Sequence, residues 1–208
     1  MNIYLVRHGE TEENKNKNYY GKMDVSLNKR GVDQSKKVGK FLENIKFNKV
    51  YVSNRKRAKD TANIILKKNK ASLTQGFSIN NLLIEDSRIN ELNFGEFEGK
   101  TYDEIGKLYP EQQRLWEMDW KNFTPPSGES AISFFSKAKD FIESIKKQPE
   151  GNYLIVTHGG VIRMIYAYLL KEDMDFYWNF SSRNGDITLI KYEYENLFID
   201  YIVPIGLL

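Results

Sequence analysis

Short unbroken apolar runs recur along the chain: Ile3-Tyr4-Leu5-Val6, Val50-Tyr51-Val52, Leu82-Leu83-Ile84 and Tyr153-Leu154-Ile155-Val156. Runs of this length, without polar alternation, are the mark of strands buried on both faces. Between them the apolar spacing turns helical. Leu27 to Gly31 leads into a helix with Val38, Phe41, Leu42 and Ile45 on one face. Ser53-Asn54 reads as the N-cap of a helix from about Arg55 to Lys68. A long helix from about Glu129 to Lys147 carries Ile132, Phe135, Ala138, Phe141, Ile142 and Ile145, and the fourth run passes through Thr157-His158-Gly159-Gly160 into another helix. The polar stretch Glu12 to Lys22 reads as a loop. Near the C-terminus, Ile187 to Tyr194 and Phe198 to Val203 alternate as strands, with Glu195-Asn196 as the hairpin turn.

Alternating strands and helices predict an α/β fold: a three-layer αβα sandwich with a mostly parallel central sheet and an antiparallel C-terminal edge. Residues 92–128 break the rhythm with two tryptophans and short amphipathic pieces, and end in Pro125-Pro126-Ser127-Gly128. They read as a small inserted cap within one domain spanning 1–208. No internal repeat interrupts this pattern.

Composition narrows the chemistry. The chain has 208 residues and no cysteine, so disulfides and thiolate metal sites are excluded; with only two histidines, a three-His zinc site is excluded too. No metal and no cofactor is expected. The net charge of +3 suits a small anionic substrate. The Lys67-Lys68-Asn69-Lys70 run reads as a solvated helix end, so no nucleic-acid partner is expected. Val161 to Leu170 is interrupted by Arg163 and is too short to span a bilayer. The N-terminus opens directly on an apolar strand, without a basic leader. These features give the expectation of a cytoplasmic protein with no membrane partner. The sequence carries no signature of oligomeric state.

Both histidines occupy the same kind of position. His8 and His158 each follow a buried strand by one or two residues, and each precedes a glycine. Ligands of open α/β sheets bind at the carboxyl ends of the strands, so both imidazoles are expected in one site. Gly9 and Gly159 allow close backbone approach, and the helix after Gly160 would offer free N–H groups to an anion. Arg7 adjoins His8. Arg57, with Arg55 as its competitor, starts the helix after the second strand. Guanidinium forks match the oxygens of a phosphate monoester.

These residues fall in longer motifs. Leu5-Val6-Arg7-His8-Gly9-Glu10-Thr11 continuing to Asn14, the segment Ser53 to Ala62, Glu91-Leu92-Asn93-Phe94-Gly95-Glu96-Phe97-Glu98-Gly99, and Val156-Thr157-His158-Gly159-Gly160-Val161-Ile162-Arg163 resemble, in order, the motifs of the histidine phosphatase (phosphoglycerate mutase-like) superfamily. The alignment selects Arg57 over Arg55, because Arg57-Ala58 precedes Thr61-Ala62. Asn54, Arg55, Asp60 and Lys137 depart from the usual pattern. The resemblance implies His8 as nucleophile and Glu91 as general acid and then base, with Glu98 and Glu10 as secondary candidates. It implies that Arg7, Asn14, Arg57, His158 and the Gly159 N–H hold the phosphoryl oxygens, with Thr11 and Arg163 as supporting or structural groups. His8 must be neutral to attack. Repulsion from Arg7 and Arg57 would favour that form, and a backbone carbonyl near Gly9 would fix its tautomer.

The short distance from Glu91 to His158, and a chain that ends soon after the hairpin, favour a phosphatase over a mutase. The Phe94 to Gly99 run with Trp116 and Trp120 downstream, and Pro126-Ser127-Gly128-Glu129-Ser130, look similar to α-ribazole phosphatases of the cobalamin pathway. Trp116, Met118 and Trp120 would either cover an aromatic base or form the cap's own small core. A broad-specificity phosphatase, a mutase-like enzyme and a non-catalytic phosphate-binding module are the alternatives.

Overall fold

The computed structural model describes residues 1–73 and 82–208. In chain order the elements are β1 (Asn2–Arg7), α1 (Glu12–Lys15), α2 (Lys29–Phe41), β2 (Lys49–Val52), α3 (Lys56–Lys68), α4 (Lys70–Leu73), β3 (Leu83–Glu85), α5 (Tyr102–Leu108), α6 (Pro110–Met118), α7 (Ala131–Lys146), β4 (Asn152–Thr157), α8 (Gly159–Leu169), β5 (Ile187–Glu193) and β6 (Asn196–Val203). The strands form a six-stranded sheet in the order β3-β2-β4-β1-β5-β6. The first four are parallel, and β5 and β6 run antiparallel. This is the α/β fold with an antiparallel edge that the sequence predicts.

Strand side chains alternate between faces, and each face carries its own core. Ile3, Leu5 and Ile155 pack with Phe134, Phe141 and Ile142 of α7 and Ile162 and Ile165 of α8. Tyr4, Val6, Leu154 and Val156 pack with Val38 of α2 and with Ala58, Ala62 and Ile65 of α3. The sheet is thus the middle of three layers. Register brings the business ends together: Arg7 pairs with Thr157, and Val52 with both Val156 and Glu85. His8, His158 and Ser53 therefore leave neighbouring strands at one edge.

Four details differ from the sequence reading. The expected loop from Glu12 opens with the turn α1. Thr11 and Asn14 exchange backbone-to-side-chain hydrogen bonds there, both 3.3 Å, in a capping box. α3 begins at Lys56 with no side-chain cap, because Ser53 faces the site instead. Phe41 and Ile132, read as apolar-face positions, are exposed. The hairpin turns at Tyr194-Glu195, with φ of 51° and 61°, and Asn196 already pairs with Glu193. Two consecutive left-handed residues match the twist of the flanking strands.

Between β3 and α7 lie 3-10 turns at Ser87–Ile89 and Gly95–Phe97, then α5 and α6. Fully buried Phe97 stacks on Phe123 (ring centroids 6.1 Å apart), which stacks on Trp116 (6.1 Å). Among the described residues, no helix is long and apolar enough to cross a membrane.

Candidate active site

The site begins with the backbone just past β1. His8 N–H donates to the Thr157 carbonyl at 2.9 Å, extending the ladder one residue beyond the strand. Gly9 packs so tightly on α2 that a Cβ there would lie 2.3 Å from the Gly31 carbonyl oxygen. Its N–H donates to Thr61 Oγ1 of α3 (3.0 Å). The His8 ring, held by this backbone, has Nδ1 2.7 Å from the Gly9 carbonyl oxygen. A carbonyl only accepts, so Nδ1 carries the hydrogen and Nε2 keeps its lone pair. This is the carbonyl expected near Gly9.

Arg57 is wholly buried. Its Nη1 donates to Met23 O (2.8 Å), its Nη2 to Gly21 O (3.0 Å) and its Nε to His158 Nδ1 (3.3 Å). The Tyr20 ring lies under it, 4.5 Å from the guanidinium carbon. The loop that supplies those carbonyls is itself anchored. The Glu98 carboxylate accepts from the N–H groups of Gly21 (3.1 Å), Lys22 (2.6 Å) and Met23 (2.6 Å). Glu98, read as a secondary acid candidate, instead ties the inserted segment to the arginine-holding loop. Glu10, the other such candidate, accepts from Asn28 Nδ2 (3.0 Å) and pairs with Arg30. Arg7 Nη1 donates to Ser182 O, and its buried Nε has no hydrogen-bond partner among the described residues.

His158 lies beside His8, with ring centroids 5.0 Å apart. Both of its nitrogens are engaged: Nδ1 accepts from Arg57, so Nε2 carries the hydrogen and donates to Ser53 Oγ at 2.7 Å. Ser53 donates in turn to Asn90 Oδ1 (2.7 Å). Asn14 Oδ1 accepts from Thr11 N (3.3 Å) and Asn184 Nδ2 (3.0 Å), which turns the Asn14 amide donor away from these groups. The same Asn184 nitrogen donates to His8 O (3.0 Å). Glu91 accepts from Gly160 N (3.1 Å) and Leu92 N (3.1 Å). The fit is close, since a Cβ on Gly160 would sit 2.2 Å from Glu91 Oε1.

A cavity of about 230 Å³ opens here. Arg7, His8, Asn14, Arg57 and Glu91 line it, together with Trp116, Trp120, Phe94, Tyr177 and Arg163. His158 and Gly159 lie behind the wall, with Gly159 against Arg7. The expectation for the cap aromatics divides. Trp116 and Trp120 face the cavity, but Met118 is 70% exposed and contacts Arg114 instead. Trp116 also packs on Phe97 and Phe123, so it serves both core and wall.

Burial is the largest influence holding His8 well below the usual histidine range, followed by Arg57 and then Arg7. The sequence reading named the arginines and missed the larger effect of desolvation. His158 is held low by the same burial, then by Arg57 and His8. Two imidazoles favoured in the neutral form thus sit beside Arg7 and Arg57. Among the described residues, no group of three or more His, Cys, Asp or Glu is placed to hold a metal ion.

The sequence model of the Histidine phosphatase superfamily (branch 1) matches residues 3–203. The chain belongs to the histidine phosphatase superfamily. This histidine phosphatase is a phosphoric monoester hydrolase. It is 30% identical over 186 residues to the adenosylcobalamin/alpha-ribazole phosphatase of Salmonella typhimurium, covering 89% of this chain and 87% of that protein. It is 29% identical over 194 residues to phosphoserine phosphatase 1 of Hydrogenobacter thermophilus, covering 93% and 87%. The crystal structure of the alpha-ribazole phosphatase from Shigella flexneri superposes with a TM-score of 0.87 at 25% identity, covering 99% of this chain and 97% of that one.

Several residues of this histidine phosphatase's site escaped the sequence reading: Ser53, Asn90, Asn184, Tyr20 and Tyr177. Ser53 carried a usable signal, since it follows β2 as His8 follows β1. Asn184 lies in an irregular segment and Tyr177 in the 3-10 turn Met174–Asn179, with no periodicity to flag them.

Proposed function

We propose that this histidine phosphatase hydrolyses α-ribazole 5′-phosphate through a phosphohistidine on His8, without a metal ion or cofactor. One observation carries the reading: His8, favoured in its neutral form and with its tautomer fixed by Gly9 O, lines an aromatic-walled cavity together with Arg7 and the buried Arg57.

The phosphoryl group, with a charge of about −1.5 to −2 near neutral pH, meets Arg7, Arg57, the Asn14 amide, His158 and the Gly159 N–H. His8 Nε2 attacks phosphorus in line as the ester P–O bond breaks, and the leaving oxygen takes a proton from Glu91. The ionised Glu91 then removes a proton from water, whose oxygen attacks the phosphohistidine. The P–N bond breaks, inorganic phosphate leaves and His8 is restored. Positioning and charge stabilisation carry most of such a transfer, which is the service a clamp of fixed donors gives. Gly160 N–H holds Glu91 over the site at 3.1 Å.

The leaving group faces Trp116, Trp120 and Phe94. Residues 92–128 act as a cap whose ring faces accept the dimethylbenzimidazole base. The similarity to phosphatases named for α-ribazole supports the same choice. The reaction is cytoplasmic in this reading.

The test is turnover in EDTA across α-ribazole 5′-phosphate, L-phosphoserine, 3-phosphoglycerate and sugar and nucleotide monophosphates. The expected result is chelator-resistant hydrolysis with the highest kcat/KM for α-ribazole 5′-phosphate. A higher value for another monoester overturns the substrate assignment, and no turnover of any ester favours a phosphate-binding module.

A further inference from the structure

Arg163 lies four residues beyond Gly159 on α8, about 6 Å along the axis and on the same helix face. Gly159 abuts Arg7, where a Cβ would come within 3.1 Å of the guanidinium carbon. Arg163 therefore stands one helical turn away from the phosphate end, where the rest of a bound ester must lie, and it lines the cavity. Its guanidinium carbon sits 3.9 Å over the Tyr177 ring and 5.5 Å from that of Trp178. Trp178 packs on Trp120 of the inserted segment at 5.4 Å. Stacking of this kind fixes the plane of the fork before any ligand arrives.

Its donors are largely uncommitted. A guanidinium has five N–H groups, and the one protein acceptor of Arg163 among the described residues is Tyr177 OH, at 2.6 Å from Nη2. It has no carboxylate partner among the described residues. Arg57, in contrast, gives three hydrogen bonds to the protein. Glu129, the second carboxylate lining the cavity, is already paired with Lys137 and accepts from Asn93 N. Arg163 is thus a preoriented, unneutralised donor at the leaving-group end of the cavity.

We propose that Arg163 is a specificity-determining residue that donates hydrogen bonds to oxygen acceptors on the leaving group of the phosphate monoester, the hydroxyls of a ribosyl group or a carboxylate. The proposal rests on the phosphatase reading above and adds the feature a good substrate must carry: an acceptor a few bonds from the ester oxygen. The aromatic wall then takes whatever apolar group lies beyond it.

The test compares α-ribazole 5′-phosphate and L-phosphoserine with phenyl phosphate, whose leaving group offers no acceptor besides the ester oxygen. The quantity read is the ratio of kcat/KM for each acceptor-bearing ester to that for phenyl phosphate. Because both rates come from one sample, a misfolded fraction cancels in the ratio. For Arg163→Met the ratio is expected to fall about tenfold or more, the size of one lost charge-assisted hydrogen bond. Arg163→Lys, which keeps the charge but loses the fork, is expected to fall between. A fall for α-ribazole 5′-phosphate assigns the ribosyl hydroxyls, and one for L-phosphoserine alone assigns a carboxylate while overturning the ribazole reading. Unchanged ratios in both variants, or a wild type that does not prefer either acceptor-bearing ester to phenyl phosphate, overturn the role of Arg163.

Discussion

Arg57 Nε donates to His158 Nδ1 at 3.3 Å, so the buried guanidinium decides which nitrogen of the second imidazole carries its hydrogen. The consequence runs on through Ser53 to Asn90, four side chains from three strand ends joined in one chain of donors. This network is held by the protein's own hydrogen bonds, and its weak points follow from its connections.

Ser53→Ala leaves the His158 Nε2 hydrogen without its buried acceptor, while Asn90 Oδ1 keeps the Asn54 N–H at 2.9 Å. The expected cost is about 1–3 kcal/mol of stability, the usual penalty for one unsatisfied buried group. Urea unfolding checks it, and kcat/KM is expected to fall about tenfold or more as the His158 ring, its tautomer still set by Arg57, loses the acceptor that holds its orientation.

Glu98→Ala releases the three N–H groups of residues 21–23 and with them the carbonyls that hold Arg57. Inorganic phosphate is expected to inhibit about tenfold more weakly, with a matching rise in KM, since an arginine fork binds well only when held. Glu98→Gln keeps one acceptor oxygen and is expected to show a smaller loss. Inhibition constants for the three proteins check both.

Gly160→Ala acts on Glu91 alone among the proposed groups, because the added Cβ would lie 2.2 Å from its Oε1. Displacing a proton donor by about 1 Å costs on the order of 100-fold in rate. The expected result is a fall in kcat with phosphate inhibition little altered; steady-state kinetics with phosphate as inhibitor separates the two.

Both histidines are held below their ordinary value near 6.5 by burial and by the arginines. The unfolded chain takes up protons there as the pH falls, and the folded chain does not. Stability is therefore undiminished above that value and declines below it, by up to about 1.4 kcal/mol per pH unit for each histidine. Urea unfolding at pH 7.5 and 5.5 is expected to show a shallower decline in His8→Asn than in the wild type. Parallel declines would show that His8 is protonated when folded.

Much of this was legible in the residues. The buried strands announced themselves as unbroken apolar runs, and the glycine after each histidine marked a close approach, of the Gly31 backbone at Gly9 and of the Arg7 guanidinium at Gly159. Arg57 was separable from Arg55 only through the motif. What stayed hidden depended on tertiary contact. Ser53 has the chemistry of a helix cap, and only the neighbouring strand, bringing His158 alongside, turns it into an acceptor. Met118 reads like Trp116 and Trp120 in a short amphipathic piece, yet α6 points it outward. Desolvation of His8 outweighs its charged neighbours, and no local pattern records how deep a side chain lies.

The most direct measurement is covalent trapping. Wild-type protein mixed with radiolabelled p-nitrophenyl phosphate and quenched in alkaline detergent is expected to carry label that acid removes, as a phosphoramidate should, and His8→Ala is expected to carry none. Label retained by His8→Ala, or label that survives acid, would contradict the nucleophile.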